Sequence, residues 1–278
     1  MKIIKPNYYQ NFQCIAGQCR HNCCIGWEID IDEDTLSYYQ ALGGEMGARL
    51  KKEIATDSTP HFILGAHERC PFLNDGNLCD IITELGEESL CQICSDHPRF
   101  RNHHRRCTEL GLGLCCEAAG RLILTQKEPT RFNGYSFLYK KKLLRQLQNR
   151  KRPLEERLQR LSKVNPAEYT AVFRSLERLD PRWDGYLDQI SSECSIPHGW
   201  EPAFEQLAVY FIYRHLLPEQ RRERCALAVL SVRVLASLFR QTEQTAESLV
   251  ELARLYSAEI EYSDENLCAL LKAMADHK

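Results

Sequence analysis

The stretch that decides the fold is residues 70–94, which read CPFLNDGNLCDIITELGEESLCQIC. It carries four cysteines, and seven more lie between Cys14 and Cys116 outside it. Eleven of the fourteen cysteines therefore fall within one part of the chain, a density typical of a cysteine-stapled or metal-bound scaffold. These thiols need an explanation before anything else in the sequence.

Within this stretch, residues 74–77 (NDGN) have the composition of a tight turn. A turn here makes the flanking segments fold back on each other, which brings Cys70 close to Cys79. We expect residues 80–85 to extend the second arm of this hairpin.

The next segment predicts a short helix from Glu87 to Asp96. Side chains three residues apart on a helix share one face, so Cys91 and Cys94 are expected to reach the same metal. The basic residues 99–106 that follow are expected to form an exposed loop, whose arginines suit a bound carboxylate.

The redox environment decides between disulfides and metal ligands. Residues 1–7 lack the apolar core of a secretory signal, and the most apolar run, 225–239, is short for a membrane span and contains Arg233. A cytoplasmic protein is therefore expected, in which clustered thiols serve as metal ligands. The net charge of −2 gives no drive toward nucleic acid or an anionic membrane, and neither is expected as a partner.

Eight of the thiols are predicted to ligate metal. They are Cys19, Cys23, Cys24, Cys70, Cys79, Cys91, Cys94 and Cys116. Only Cys91 and Cys94 have the CxxC spacing of a zinc knuckle, and adjacent cysteine pairs are unusual in zinc ribbons. Iron–sulfur clusters accept more varied spacing. The residues alone leave zinc and iron–sulfur equally open.

The composition changes after Gln126, and the rest of the chain predicts a succession of helices. Their approximate spans are 134–150, 154–163, 167–178, 200–216, 219–241, 245–260 and 264–276, with prolines at several of the breaks. The helix over 219–241 is apolar on nearly every face, so we expect it to be the central buried one. The predicted fold is mainly α: a cysteine-cluster module of short strands and loops, residues 1–126, followed by a helical domain, residues 127–278.

The order of the cysteine motifs resembles one known family, the bacterial flagellin lysine-N-methylases. The motifs are Cys19-x3-Cys23-Cys24-x2-Trp27, Cys70-Pro71-Phe72-Leu73, Leu78-Cys79, Gly86-Glu87-Glu88-x-Leu90-Cys91-x2-Cys94-x3-Pro98-Arg99, and Leu114-Cys115-Cys116 before Arg121-Leu122-Ile123-Leu124. The resemblance covers roughly residues 5–124. More distantly, the pattern is similar to small zinc- or iron-chelating cysteine-cluster proteins.

This resemblance implies transfer of a methyl group from S-adenosylmethionine to lysine side chains of flagellin, in a protein that carries a cysteine-bound [4Fe-4S] cluster. Zinc is the alternative metal. The resemblance assigns no catalytic base and no methyl-donor site. Family members often have a proline after the last cysteine of the series, whereas here Cys116 is followed by Glu117. They are also often longer than this chain.

The residues by themselves give little support for methyl transfer. Gly111 and Gly113 lack the third glycine and the strand–helix context of a nucleotide-binding turn. Two alternatives to the enzyme therefore remain: a non-catalytic metal-binding or metal-storage module, and a zinc-stapled protein whose helical half binds a partner.

Overall fold

The computed structural model describes residues 1–276, and its architecture is mainly α, as the sequence predicts. The helices found in these residues are α1 (Glu33–Ala41), α2 (Gly44–Lys52), α3 (Asp80–Leu85), α4 (Gln92–Asp96), α5 (Glu117–Leu124), α6 (Leu138–Leu147), α7 (Leu154–Gln159), α8 (Thr170–Ser175), α9 (Asp184–Leu187), α10 (Glu201–His215), α11 (Arg221–Phe239), α12 (Ala246–Tyr256) and α13 (Asp264–Asp276). The strands are β1 (Lys2–Ile4), β2 (Ile54–Ala55), β3 (His61–Phe62), β4 (Arg99–His104) and β5 (Cys107–Leu112).

The chain forms two compact units. The thiol unit is Gln13–Phe100, and the helical unit combines Met1–Phe12 with the chain from Arg101 onward. These bounds differ from the predicted domains, 1–126 and 127–278, because β1 pairs with β5 and α5 packs against α10 and α12. The division into a cysteine-cluster metal-binding module and a helical domain stays a prediction.

The thiol unit has a small apolar core of its own. Its buried members are Ile29, Ile31, Tyr39, Met46, Leu50, Phe62, Cys70, Phe72, Leu73, Ile81 and Cys91. The packing of Phe62 against Phe72, with ring centroids 5.1 Å apart, joins β3 to the segment that carries Cys70. Two of the thiols are thus part of the core itself.

Helices α10 and α11 form the centre of the helical unit. From Cys225 to Phe239 every side chain of α11 is buried, which confirms the predicted central helix. This segment contains neither glycine nor proline, and α10, α12 and α13 all pack against α11. Helix α12 begins with a capping box, in which Thr245 and Ser248 each bond the other's backbone N–H.

A three-stranded sheet accompanies these helices, in the order β1-β5-β4. Strand β1 runs parallel to β5, with Ile4 opposite Glu109. Almost every residue of β5 is buried on both faces of the sheet, as expected for a central strand covered by helices.

Helix α12 leads into a π-helical turn, Ser257–Glu261, before α13. Turns of this kind are rare and often lie at functional sites. Both of its carboxylates at Glu259 and Glu261 are buried and bonded: Glu259 accepts from Arg178, and Glu261 from Tyr210.

Three local expectations were wrong. Residues 80–85 form helix α3 instead of a hairpin arm, because Asp80 is held by Asn74 and Arg49 at the start of a new helix. Most of the basic segment 99–106 is strand β4, because it lies beside β5 in the sheet. The predicted helix over 87–96 is shorter and begins only after Cys91.

Candidate metal centre

The pair Cys23 and Cys24 lies in a turn that is tied to the segment before Cys70. The backbone N–H of Cys70 donates to the carbonyl of Cys24 at 2.8 Å. The indole N–H of Trp27 donates to the Cys23 carbonyl at 2.7 Å, so the large side chain fixes the turn that presents both thiols.

The predicted turn at residues 74–77 is present and is organised by the Asn74 side chain. Its Oδ1 accepts hydrogen bonds from the N–H groups of Gly76 at 2.9 Å and Leu78 at 3.0 Å. A bridge between Leu73 and Cys79 closes the hairpin. The structure thus brings the segments of Cys70 and Cys79 together, as the turn composition predicts.

Cys91 and Cys94 lie at the start of α4, with Cys91 as the N-cap residue. The carboxylate of Asp32 holds this helix in place, because it accepts from the N–H of Gln92 at 2.8 Å while it also caps α1 through the N–H of Thr35 at 3.0 Å. One carboxylate therefore fixes the orientation of the helix that carries both thiols.

These six thiols lie close enough together to shift one another's pKa values. Cys24 interacts with Cys70 and Cys79, and Cys94 interacts with Cys24 and Cys70. Cys70 interacts in turn with Cys91. Three segments distant in sequence thus gather their sulfur atoms in one region of the thiol unit.

Within the pairs Cys23/Cys24 and Cys91/Cys94, the pKa of one thiol is lowered and that of the other is raised. A hydrogen bond from Cys24 lowers the pKa of Cys23 to about 7, and the pKa of Cys24 is raised above its usual range by this bond and by burial. The hydrogen bond between Cys94 and Cys91 likewise lowers the pKa of Cys91 and raises that of Cys94. Burial raises the pKa of Cys70 to about 11.

The gathered thiols do not enclose a single point. Within residues 1–276, no group of three or more Cys, His, Asp or Glu side chains is arranged to hold one metal ion. A mononuclear zinc site needs four sulfur or nitrogen atoms at about 2.0–2.3 Å from one centre. The donors are all soft thiols, which suit zinc or an iron–sulfur cluster and not a hard cation.

Two predicted ligands, Cys19 and Cys116, are not among these six thiols. The Cys19 thiol donates to the carbonyl of His21 at 3.2 Å. Cys116 is in the helical unit, where it is the N-cap residue of α5. The assignment of all eight cysteines as ligands stays a prediction.

Three histidines close to the cysteines in the sequence contact aromatic or polar side chains. The rings of His97 and Trp27 have centroids 6.3 Å apart, and burial beside Arg99 lowers the pKa of His97 to about 4. His103 contacts the hydroxyl of Thr108 at 3.3 Å, and His104 contacts Glu109 at 3.1 Å.

A second polar cluster lies in the helical unit around Cys115, and no motif in the sequence predicts it. Burial raises the pKa of this thiol to about 11, although a hydrogen bond from the Tyr262 hydroxyl and the nearby Arg214 act to lower it. Arg214 also donates to the Tyr210 hydroxyl at 2.6 Å, and Tyr210 donates to Glu261 at 3.0 Å. This pKa keeps the half-buried Cys115 thiol protonated near neutral pH.

Comparison with known proteins gives a consistent result. The chain is 27% identical over 136 residues to a protein named lysine-N-methylase from Salmonella choleraesuis strain SC-B67, and equally so to the same-named protein from Salmonella typhimurium strain LT2. Over this part, the chain is similar to proteins named lysine-N-methylase. It is also 25% identical over 129 residues to the flagellar biosynthetic protein FliU of Salmonella muenchen.

The similarity to these lysine-N-methylase relatives is partial. It covers 44% of this chain and 32% of each methylase, so the chain matches about a third of the length of these proteins. For FliU it covers 44% of this chain and 76% of the relative. No family model matches the chain, and no solved structure matches it. In the part of the chain that the structure describes, no helix is long and apolar enough to cross a membrane.

Proposed function

We propose that this protein is a lysine N-methyltransferase, which transfers a methyl group from S-adenosylmethionine to lysine side chains of flagellin. The observation that carries the proposal is the gathering of six thiols in the thiol unit of a chain related to the lysine-N-methylases. The name of the FliU relative supports a flagellar protein as the substrate.

We further propose that the six thiols hold an iron–sulfur cluster, with zinc as the alternative. They are Cys23, Cys24, Cys70, Cys79, Cys91 and Cys94. Their number exceeds the four ligands of a zinc site, and iron–sulfur clusters accept varied cysteine spacing. A bound cluster would crosslink the three thiol segments and place a metal centre beside Trp27 and Tyr39.

Tyr39, Asp32 and Trp27 form hydrogen bonds that hold the segments around the six thiols. The hydroxyl of Tyr39 donates to the carbonyl of Ser89 at 2.6 Å, and its pKa is raised by burial and by the neighbouring Cys91 and Cys94. Tyr39 therefore stays protonated and acts as a fixed hydrogen-bond donor. Asp32 and Trp27 hold two of the thiol-bearing segments in place through the Gln92 N–H and the Cys23 carbonyl.

Methyl transfer requires a neutral amine, because an ammonium group has no lone pair with which to attack the methyl carbon. A methyltransferase must therefore lower the pKa of the target lysine or remove its proton. Burial of the lysine next to the positive sulfonium of a bound methyl donor would provide such a shift.

The test combines metal analysis with mass measurement of flagellin. The 278-residue chain, purified without oxygen, is expected to be brown and to contain iron and sulfide, and to add mass to flagellin in steps of one methyl group when S-adenosylmethionine is supplied. A lysine-free peptide is the control and is expected to remain unmodified.

The outcomes separate the alternatives. A colourless protein with stoichiometric zinc that still methylates flagellin would overturn the iron–sulfur assignment alone. Metal-replete protein that neither binds S-adenosylmethionine nor modifies flagellin would overturn the enzyme and leave a metal-binding module.

A further inference from the structure

The outer face of α6 forms a shallow groove, open to solvent, that the function above does not use. Its volume is about 480 Å³. It is lined by Leu138, Lys141, Lys142, Arg145, Gln146 and Asn149. The spacing of these residues places them on one side of the helix.

The other side of α6 is fixed in the helical unit, so the groove has a rigid floor. Leu144 and Leu147 are fully buried where α6 packs against α10. Lys140 is fully buried as well and pairs with Glu109. The helix therefore cannot turn its basic side inward.

The charge on this face is not compensated by the protein itself. Residues 129–154 contain no Asp or Glu, whereas residues 140–152 contain seven Lys and Arg. Three of the seven are paired: Lys140 with Glu109, Arg150 with Glu205 and Arg152 with Glu156. Within residues 1–276, Lys141, Lys142 and Arg145 make no ion pair. The ammonium of Lys141 instead lies 5.6 Å from the centre of the Tyr135 ring.

One apolar side chain stands among these cations. Leu138 is 84% exposed, more than any other leucine within residues 1–276, and it lies at the start of the basic face. Electrostatic attraction alone does not require an exposed leucine among the cations. A partner that combines carboxylates with an apolar side chain fits both features.

We propose that this face of α6 docks an acidic amphipathic segment of a partner protein. Carboxylates of the segment pair with Lys141, Lys142 and Arg145, and an apolar side chain of the segment covers Leu138. This proposal is independent of the proposed methyl transfer, since no residue of the face belongs to the thiol unit.

Two other occupants fit the face less well. A nucleic acid gains nothing from Leu138, and the lining offers no aromatic side chain on which a base can stack. An anionic membrane favours a helix with a wide apolar face, whereas the apolar face of α6 is already buried against α10.

The experiment measures binding of the full chain to a fluorescent peptide of about 15 residues, in which Glu and Leu alternate at helical spacing. The groove variant is Lys141→Glu/Lys142→Glu/Arg145→Glu. Its matched control, Lys127→Glu/Lys163→Glu/Lys272→Glu, changes three exposed cations elsewhere on the protein by the same charge.

The groove variant is expected to weaken binding about tenfold or more, and the control to change it little. Leu138→Ser is expected to weaken binding about three- to tenfold, whereas Leu179→Ser, at another exposed leucine, leaves it unchanged. Binding of a pure polyglutamate peptide should not respond to Leu138→Ser.

Three results would overturn the proposal. The first is an equal response to the groove variant and its charge-matched control. The second is an equal response to Leu138→Ser and Leu179→Ser. The third is tighter binding of duplex DNA or of anionic phosphatidylserine vesicles than of the peptide at the same salt concentration. Circular dichroism of each variant confirms that the fold is retained.

Discussion

The ammonium group of Lys140 lies 2.7 Å from the carboxylate of Glu109, and both side chains are fully buried. Glu109 also accepts from Ser136 and contacts His104, while Lys140 donates a second bond to the carbonyl of Tyr213 at 3.1 Å. Burial lowers the pKa of Lys140, and Glu109 opposes this shift. The pair ties α6 to the central strand β5.

Removal of one partner from this pair should be more harmful than removal of both charges. Lys140→Met leaves the Glu109 carboxylate buried without its cation and is expected to lower the free energy of unfolding by about 3–5 kcal/mol. Lys140→Met/Glu109→Gln should recover part of this loss, because the amide still bonds Ser136 and His104. Urea unfolding measures both variants. A double variant no more stable than the single one would contradict this account.

Substitution of single cysteines should divide them into two groups. Cys24→Ser, Cys91→Ser and Cys94→Ser are expected to lose bound metal, because removal of one thiolate opens a site that the remaining thiols cannot close. Cys268 is exposed and lies in α13 of the helical unit, so Cys268→Ser should retain the full metal content. Elemental analysis of the purified variants provides the measurement, and metal loss in Cys268→Ser but not in Cys91→Ser would be evidence against the assignment.

The backbone at Gly113 leaves no room for a side chain. A Cβ at this position would lie 2.7 Å from the Tyr262 hydroxyl oxygen and 3.3 Å from the Cys115 sulfur. Gly113→Ala is therefore expected to cost about 1–3 kcal/mol of unfolding free energy. In a Tyr262→Phe background the cost should be smaller, since the clashing oxygen is absent. Equal costs in the two backgrounds, measured by thermal unfolding, would rule out this contact as the cause.

The low pKa of His97 predicts a defined acid sensitivity. Its pKa is about 4 in the folded protein and 6.5 when exposed, so the unfolded state binds the extra proton between these values. Stability should fall as the pH decreases from 6.5 toward 4, by about 1–2 kcal/mol near pH 5 for this group. His97→Gln removes the titration and should show a smaller loss between about pH 7.5 and pH 5. The same acid-induced loss in both proteins would assign the effect to other groups.

Features that depend on local sequence were predictable. The NDGN turn follows from residues that favour tight turns, and the buried helix α11 follows from its continuous apolar pattern. Convergence of Cys70 with Cys79 follows from the turn itself. The break between α1 and α2 lies at the glycine pair 43–44, where the sequence already weakens a single helix.

Features that depend on distant partners were not predictable. Nothing in the sequence around Lys140 indicates that its side chain is buried while those of Lys141 and Lys142 are not. The burial depends on the ion pair with Glu109, which is 31 positions away in the sequence. The cluster of Cys115 with Tyr262 and Arg214 joins three segments that are far apart in the sequence. Local sequence patterns carry no information on contacts between such distant segments. The residues of β4 have the composition of a basic loop, and they form a strand because they pair with β5.

The parallel pairing of β1 with β5 has a consequence for how the chain is made. Ile4 and its partner Glu109 are separated by the entire thiol unit, which is inserted into the helical unit between them. At ribosomal rates of about 5–20 residues per second, β1 leaves the ribosome roughly 5–20 s before its partner strand. The thiol segments are complete during this interval, so the six thiols proposed as metal ligands are synthesised before the helical unit can begin to close its sheet.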